Sequence, residues 1–428
     1  MLLKKTFALA ALAVIVLGLG GCPEPGNTIT FWVMPNAETE AHTAWLDRMK
    51  TEFLRREGIV VNYEIVSWGD SWERISNGLA TAGGPDVIQL RSSWNAHFAA
   101  GDGLLKINLN DYGGADSFES ALLASVTYVG AAYGVPWFAE TQALICNKEL
   151  FAEAKAVLPR TLGELENAGK KIVARGGRGS AVALPGINSG ELVDVWSGFL
   201  YGEGGRYVTE DGTAAAFAGE AGKRAVEAYL GLYVDGLAPK NEIESGAGAA
   251  ERLFAKGKTA MCFLTAAGLR RVRAENPALD LAAVAPPAGP AGDGTFVRGS
   301  NLVIPANSPN KQKASRWIRF LLDEKNITEY ALGVCAALPA KKDALQDAAF
   351  REGDYPTYAA SLERAVPYPA LASWTAVESE TSNALKLMLL VVRYGKYSPE
   401  MIPGVLEKAA AKTSPALARE AEAPQAKQ

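Results

Sequence analysis

The sequence predicts an α/β protein of two units, each a parallel or mixed sheet flanked by helices. Three observations carry this expectation. Strand and helix patterns alternate as βαβαβ from Ile29 to Leu90, an order that yields a parallel sheet covered by helices. A second α/β run begins near residue 140. Between 286 and 294, Pro286, Pro287, Gly289, Pro290, Gly292 and Gly294 cluster in a stretch that must be loop, a candidate crossing between the two units.

The elements follow in order. Ile29, Phe31 and Val33 alternate with Thr30 and Trp32 as in a strand, and Pro35 and Asn36 end it. Trp45, Leu46, Met49 and Phe53 fall at helical spacing, and Gly58 is a natural stop. Ile59 to Val66 is a second strand, Trp72, Ile75 and Leu79 mark a second helix, and Asp86 to Leu90 is a third strand. Open parallel sheets bind ligands at the carboxyl ends of their strands, so the loops after Val33, Val66 and Leu90 are the first places to look. In the second unit, Thr161 and Glu164 form a capping-box pair before a helix through Ile172. Ala181 to Leu184 and Thr259 to Leu264 read as strands; Val193 to Leu200, Gly222 to Tyr233 and Glu251 to Phe254 read as helices. Phe296 to Pro305 is a strand, Lys311 to Leu322 a helix, and Ser373 to Lys412 mostly helical. The final residues, rich in Ala, Glu, Lys and Pro, read as a frayed tail over 416–428.

The N-terminus is a targeting segment. Lys4 and Lys5 precede an apolar run from Phe7 to Leu19, roughly 13 residues, the length of a secretory signal and too short to span a bilayer. Leu19-Gly20-Gly21-Cys22 resembles a bacterial lipobox. Residues 1–21 would then be removed and Cys22 would carry palmitoyl-type acyl chains, tethering the chain through 22–28 to a membrane of the cell envelope, facing the periplasm or the exterior. An ordinary signal peptide with an incidental cysteine, or an uncleaved anchor, is the alternative.

About 400 residues remain, enough for two or three domains or one large α/β unit. Of the 43 basic residues, 41 remain against 47 acidic ones, a net charge of −6 that argues against a nucleic-acid partner. His42 and His97 show no zinc spacing, so neither a metal nor a cofactor is expected. Cys146, Cys262 and Cys335 are odd in number and have apolar neighbours; buried free thiols are expected, with one disulfide as the alternative.

Catalytic motifs do not assemble. Lys256-Gly257-Lys258-Thr259 ends like a phosphate-binding loop, but Arg252 stands where its first glycine belongs. Gly202-Glu203-Gly204-Gly205 fails the dinucleotide pattern because Tyr207 replaces the third glycine. A glycosidase pair drawn from Asp70, Glu140 and Glu191 stays open, because acids distant in sequence can converge in space. The tryptophans point elsewhere. Trp68, Trp94, Trp137 and Trp374 each fall near a loop at a sheet edge, with Asn36, Glu38, Asp70, Asn95 and Glu140 close by. Carbohydrates suit that mixture: their C–H faces stack on rings and their hydroxyls need donors and acceptors. Trp45, Trp72 and Trp317 lie on helix faces and read as core.

At this point the chain resembles the bacterial extracellular solute-binding proteins that deliver sugars to ABC importers, in particular the maltose/trehalose-type branch. The blocks arrive in the family's order: Gly84-Pro85-Asp86-Val87-Ile88; Tyr133-Gly134-Val135-Pro136-Trp137 through Asn147-Lys148-Glu149-Leu150-Phe151; Pro159-Arg160-Thr161-Leu162; Phe254-Ala255-Lys256-Gly257-Lys258-Thr259-Ala260-Met261; Ser308-Pro309-Asn310-Lys311; and Val377 to Glu380. The resemblance implies a two-lobed type II periplasmic-binding-protein fold, with residues 29–138 and 295–345 in the N-terminal lobe, 139–294 and 346–415 in the C-terminal lobe, and the ligand in the cleft between them. It implies a monomer that captures a mono- or disaccharide and passes it, unaltered, to permease subunits. By the same resemblance Glu140 bonds sugar hydroxyls beside Trp137 and Phe138. Asn36 and Glu38, Trp68 and Asp70, and Ser93 and Trp94 follow the first three strands. Glu191 and Trp196 belong to the second lobe, Ser300 and Asn301 to the return strand, and Arg364 and Trp374 to the last site loop. Ser300, and the run Ala266-Ala267-Gly268, stand where relatives often place stacking aromatics, which favours a small ligand. The rival readings are a binder of a polyamine or a phosphorylated polyol, a lipid-anchored glycosidase, and a surface adhesin that keeps the fold without transport.

Overall fold

A computed structural model describes residues 26–426 apart from 37, 38, 82, 177, 178 and 293. Cys22, its lipobox and Glu38 therefore lie outside the described residues. Two sheets organise the chain. Strands β1 (Thr28–Val33), β2 (Val60–Ile65) and β3 (Val87–Arg91) lie parallel with β1 in the middle, linked by the helices Thr39–Glu57 and Ser71–Ala80. The alternation read in β1 is the reason: Ile29, Phe31 and Val33 are buried against the helix residues Trp45, Met49 and Phe53. A two-residue hairpin, β4 (Thr127–Tyr128) with β5 (Ala131–Ala132), precedes β6 (Val135–Glu140).

The chain crosses at Thr141 and Gln142 into a second sheet. There β7 (Ala143–Asn147), β8 (Ser180–Ala183), β9 (Thr259–Leu264) and β10 (Leu281–Val284) take the order β10-β7-β9-β8. The capping pair forms as read: Glu164 N donates to Thr161 Oγ1 at 3.1 Å, and the Glu164 carboxylate accepts from Arg160 N at 2.7 Å. The proline- and glycine-rich stretch is the return crossing. After it β11 (Thr295–Val303) lies antiparallel between β6 and β3. Finally β12 (Leu338–Pro339) edges β6, and β13 (Ala365–Pro367) runs beside the start of β11. The first sheet thus reads β12-β6-β11-β3-β1-β2, and the two sheets with their helices form the expected two-lobed α/β fold.

Two expectations fare differently. Cys146, Cys262 and Cys335 are free and buried, and burial pushes the Cys146 thiol up to about 12, so it is inert at neutral pH. The frayed tail is a misreading: the helix Met401–Ala426 runs through most of it, with Leu417 fully buried against the second core. Composition alone registered its many polar residues and missed the helical spacing of Ile402, Leu406, Ala409, Thr413 and Leu417, all buried. Among the described residues, no helix is long and apolar enough to cross a membrane.

Candidate functional site

A cleft of about 930 Å³ opens between the two sheets, within the range of small-molecule sites. Its floor is set by the carboxyl ends of the parallel strands. Asn36 follows β1, Trp68 follows β2, Arg91 ends β3 and Trp94 lies in the short turn after it; all four line the cleft. From β6 and β11 come Phe138, Glu140, Arg298 and Ser300. The opposite wall is Gly190 and Glu191, at the start of the helix Leu192–Gly202, together with Thr265, Ala267, Arg270 and Arg271.

Polar groups on the floor are locked before any ligand arrives. Gln89 Nε2 donates to Ser300 Oγ at 2.8 Å and to Asn36 Oδ1 at 3.2 Å. Asn36 Nδ2 donates to Tyr330 Oη at 2.7 Å and to Gln89 Oε1 at 3.0 Å. Such a network fixes rotamers and so preorganises the site. β11 and β6 come very close here: a Cβ on Gly299 would stand 2.1 Å from the Phe138 carbonyl oxygen, so only glycine fits. The indoles of Trp68 and Trp94 meet edge to face with centroids 6.5 Å apart, and Trp68 Nε1 donates to Pro35 O at 2.9 Å. Trp68 is 40% exposed, an unusual display of apolar surface for a ring held this firmly.

The charges of the cleft are arranged in pairs. Arg298 donates from Nε to Glu140 at 3.0 Å and from a terminal nitrogen to Asp194 at 2.8 Å, and Tyr368 Oη donates to the other Asp194 oxygen at 2.8 Å. Burial opposes the Arg298 charge, but Glu140, Asp194 and Glu191 outweigh it and hold its pKa above the ordinary value. Arg91 binds Glu378 at 3.1 Å, and Arg271 grips Glu251 through two bonds of 2.8 Å. Arg270 donates to the carbonyls of Leu332 and Val334, in the π-helical turn Tyr330–Cys335. Burial raises the Glu191 pKa, an effect that Arg298 only partly offsets.

Of the residues singled out from sequence, the structure brings together Asn36, Trp68, Trp94, Phe138, Glu140, Glu191 and Ser300. Three tryptophans go elsewhere, and each is a correction. Trp137 neighbours Phe138 on β6, and adjacent strand residues face opposite sides; it stacks on Tyr330 at 4.1 Å inside the first core. Trp196 is fully buried on the inner face of Leu192–Gly202, edge-on to Tyr207. Trp374 is fully buried between Tyr207 and Tyr368, at 4.9 and 5.1 Å. Asn301 points away from Ser300 for the same pleat reason, and its amide pairs with Ser125. Ser93 is buried and lines nothing in the cleft. Asp70 is exposed and accepts from Ser67 Oγ at 2.7 Å, outside the cleft lining. Arg364 lines a separate hollow of about 810 Å³, beside Tyr207 and Pro367.

Sequence reasoning missed the arginines. It named one arginine, Arg364, among the site residues; the cleft holds Arg91, Arg270, Arg271 and Arg298 instead. One signal was available: Arg298 stands two residues before Ser300 on the return strand and so shares its face.

Known proteins agree with this architecture. The sequence profile of the bacterial extracellular solute-binding proteins matches residues 36–327. The diacetylchitobiose binding protein DasA of Streptomyces coelicolor is 28% identical over 380 residues, covering 87% of this chain and 86% of that protein. The maltodextrin-binding protein MdxE of Bacillus subtilis is 24% identical over 343 residues, covering 76% of this chain and 78% of the other. Among solved structures, the sugar-binding protein MalE from Xanthomonas citri superposes with a TM-score of 0.79 at 21% identity, over 93% of this chain and 99% of that one.

Proposed function

Because this chain belongs to the bacterial extracellular solute-binding proteins, we propose that it captures a neutral sugar, a mono- or disaccharide, in the cleft and hands it on unchanged to the permease subunits of an ABC importer. One observation carries the reading: the cleft sets two indoles beside charged groups that are already engaged with one another. Trp68 and Trp94 offer surfaces for the apolar side of a pyranose ring. Arg298, Glu140 and Glu191 offer donors and acceptors for hydroxyls, in charge-assisted bonds stronger than neutral ones. Arg91, Arg271 and Arg298 each meet a carboxylate and Arg270 is held by two backbone carbonyls, so every guanidinium of the lining already has partners, which favours a neutral ligand over a phosphate. The named ligands of two relatives, diacetylchitobiose and maltodextrin, are both sugars and support the same class.

In this reading residues 29–138 with 295–345 form one lobe, and 139–294 with 346–415 the other. Each presents half a site when open. Ligand bridges the halves, favours the closed state that both contact, and excludes water as the lobes meet. Micromolar affinity requires about −8 kcal/mol, within reach of two stacked rings and several hydroxyl bonds after ordering costs. The protein works as a monomer, held to the cell envelope by acyl chains on Cys22. Asp70 lies outside the cleft lining and Glu140, the remaining partner for Glu191, is engaged by Arg298, which favours binding over a glycosidase pair.

Thermal-shift screening against mono- and disaccharides, with spermidine and glucose 6-phosphate as charged controls, tests the proposal. A disaccharide or monosaccharide is expected to raise the melting temperature, by about 2.7 kcal/mol of added stability at a hundredfold excess over Kd. Glu140→Ala and Trp68→Ala are each expected to weaken that binding by about tenfold in calorimetry, roughly 1.4 kcal/mol. Stabilisation by a charged control alone, or release of reducing sugar from an aryl glycoside, overturns the reading.

A further inference from the structure

The helix Trp374–Arg393 begins where the two lobes meet. Its first turns reach the cleft, since Glu378 binds Arg91, a cleft-lining residue. The loop before it touches the first lobe: His97 Nδ1 lies 3.3 Å from the Ala372 carbonyl oxygen. The His97 ring packs on Trp72 at 4.9 Å, and Trp72 packs on Trp94 at 5.1 Å. Contacts from one helix start thus arrive at the cleft by two routes.

That helix start does not cap itself, because the Ser373 side chain makes no capping bond to its own helix. The cap comes from the last helix of the chain. Glu420 Oε1 accepts from Ala372 N at 2.6 Å, and Oε2 accepts from Ser373 N at 2.8 Å and from Ser373 Oγ at 2.5 Å. Two of the three bonds satisfy the Ala372 and Ser373 amides and the third the Ser373 hydroxyl, and an anion at the start of a 20-residue helix complements its dipole. The carboxylate also faces the β4–β5 hairpin of the first lobe: burial, and then the Glu420 charge, raise the Tyr128 pKa. Leu417, one turn earlier, is fully buried and anchors the strap that delivers Glu420.

We infer that Glu420 is a positioning residue for ligand capture: by holding Ala372 and Ser373 from behind, it fixes the first turns of Trp374–Arg393 and, through them, the Glu378–Arg91 pair and the His97–Ala372 contact that join the lobes beside the cleft. Only its affinity consequence rests on the sugar-binding reading above; the structural coupling does not.

The test uses the full chain carrying Glu420→Ala or Glu420→Gln. Hydrogen exchange on the unliganded protein is expected to quicken about threefold or more in two separate segments, 372–380 and 91–98, with 401–412 unchanged. Exchange that quickens at 372–374 while 91–98 stays as in the parent overturns the inference, because the carboxylate is then a local cap. Should Glu420→Ala loosen 401–412 itself, Glu420→Gln decides, since its amide keeps one acceptor and the same shape. In calorimetry with maltose and with diacetylchitobiose, Kd for whichever binds the parent is expected to rise about threefold or more with the melting temperature nearly unmoved. An unchanged Kd overturns the positioning role. Failure of both sugars to bind the parent counts against those sugars as ligands, and the exchange result then decides on Glu420 alone.

Discussion

Trp374 and Trp68 are the same residue type at loop edges of the same molecule, yet they have opposite roles. Trp374 is fully buried among Tyr207, Tyr368 and the second core, whereas Trp68 stands 40% exposed in the cleft. Trp374→Ala is therefore expected to cost about 3–5 kcal/mol in denaturant unfolding, mostly as lost packing and a cavity. A cost under about 1 kcal/mol would place that ring outside the core. His42 supplies a second residue-level expectation. It is fully buried with its Nε2 3.2 Å from Tyr330 Oη, and burial lowers its pKa from 6.5 to about 4. Below pH 6.5 the unfolded chain binds a proton that the folded one refuses. His42 therefore contributes fully above 6.5, and its contribution is lost as pH falls toward about 4. At about 1.4 kcal/mol per pH unit the loss is on the order of 3 kcal/mol. His42→Gln is expected to flatten that part of the stability–pH curve, and an unchanged slope would reassign the acid sensitivity.

At the scale of elements, strand alternation decides more than motif position does. On β6 and β11 it sends Phe138, Glu140, Arg298 and Ser300 to the cleft, and Trp137 and Asn301 away from it. The β4–β5 hairpin shows an element held against local preference. Its two-residue turn, Val129-Gly130, has φ of +45° and +73°, the double left-handed turn that Asn-Gly favours. A β-branched residue there is strained by about 1–2 kcal/mol. Val129, two-thirds exposed, makes no compensating burial. Val129→Asn is expected to raise stability by about 1 kcal/mol, read as a higher unfolding midpoint; a lower midpoint would show that the valine side chain packs after all.

At the scale of the whole molecule, Arg298 is the joint between the lobes. Its strand belongs to the first sheet, one of its partners, Glu140, ends β6, and the other, Asp194, sits on a helix of the second core. Removing Arg298 takes the guanidinium from both Glu140 and Asp194 and leaves Asp194 only the Tyr368 hydroxyl to offset its buried charge. Arg298→Met is expected to destabilise the protein by about 3–5 kcal/mol and to abolish calorimetric binding of any sugar the parent captures. A variant of parental stability would mean that Glu140 and Asp194 are satisfied without the guanidinium.

The sequence by itself determined the α/β class, the βαβαβ start, the loops after Val33 and Val66 that contribute Asn36 and Trp68, and the capped helix at Thr161. These follow from local spacing: periods of 2 and 3.6, turn residues, and a serviceable N-cap. Only the tertiary structure decided which tryptophans face the cleft, that Arg91 and Arg298 line it, and that the terminal helix returns Glu420 to the start of Trp374–Arg393. Those outcomes depend on partners far apart in the chain, 158 residues between Glu140 and Arg298 and 47 between Ser373 and Glu420. The free energy of a side chain there is fixed by what packs against it, and no pattern of neighbours along the chain records that.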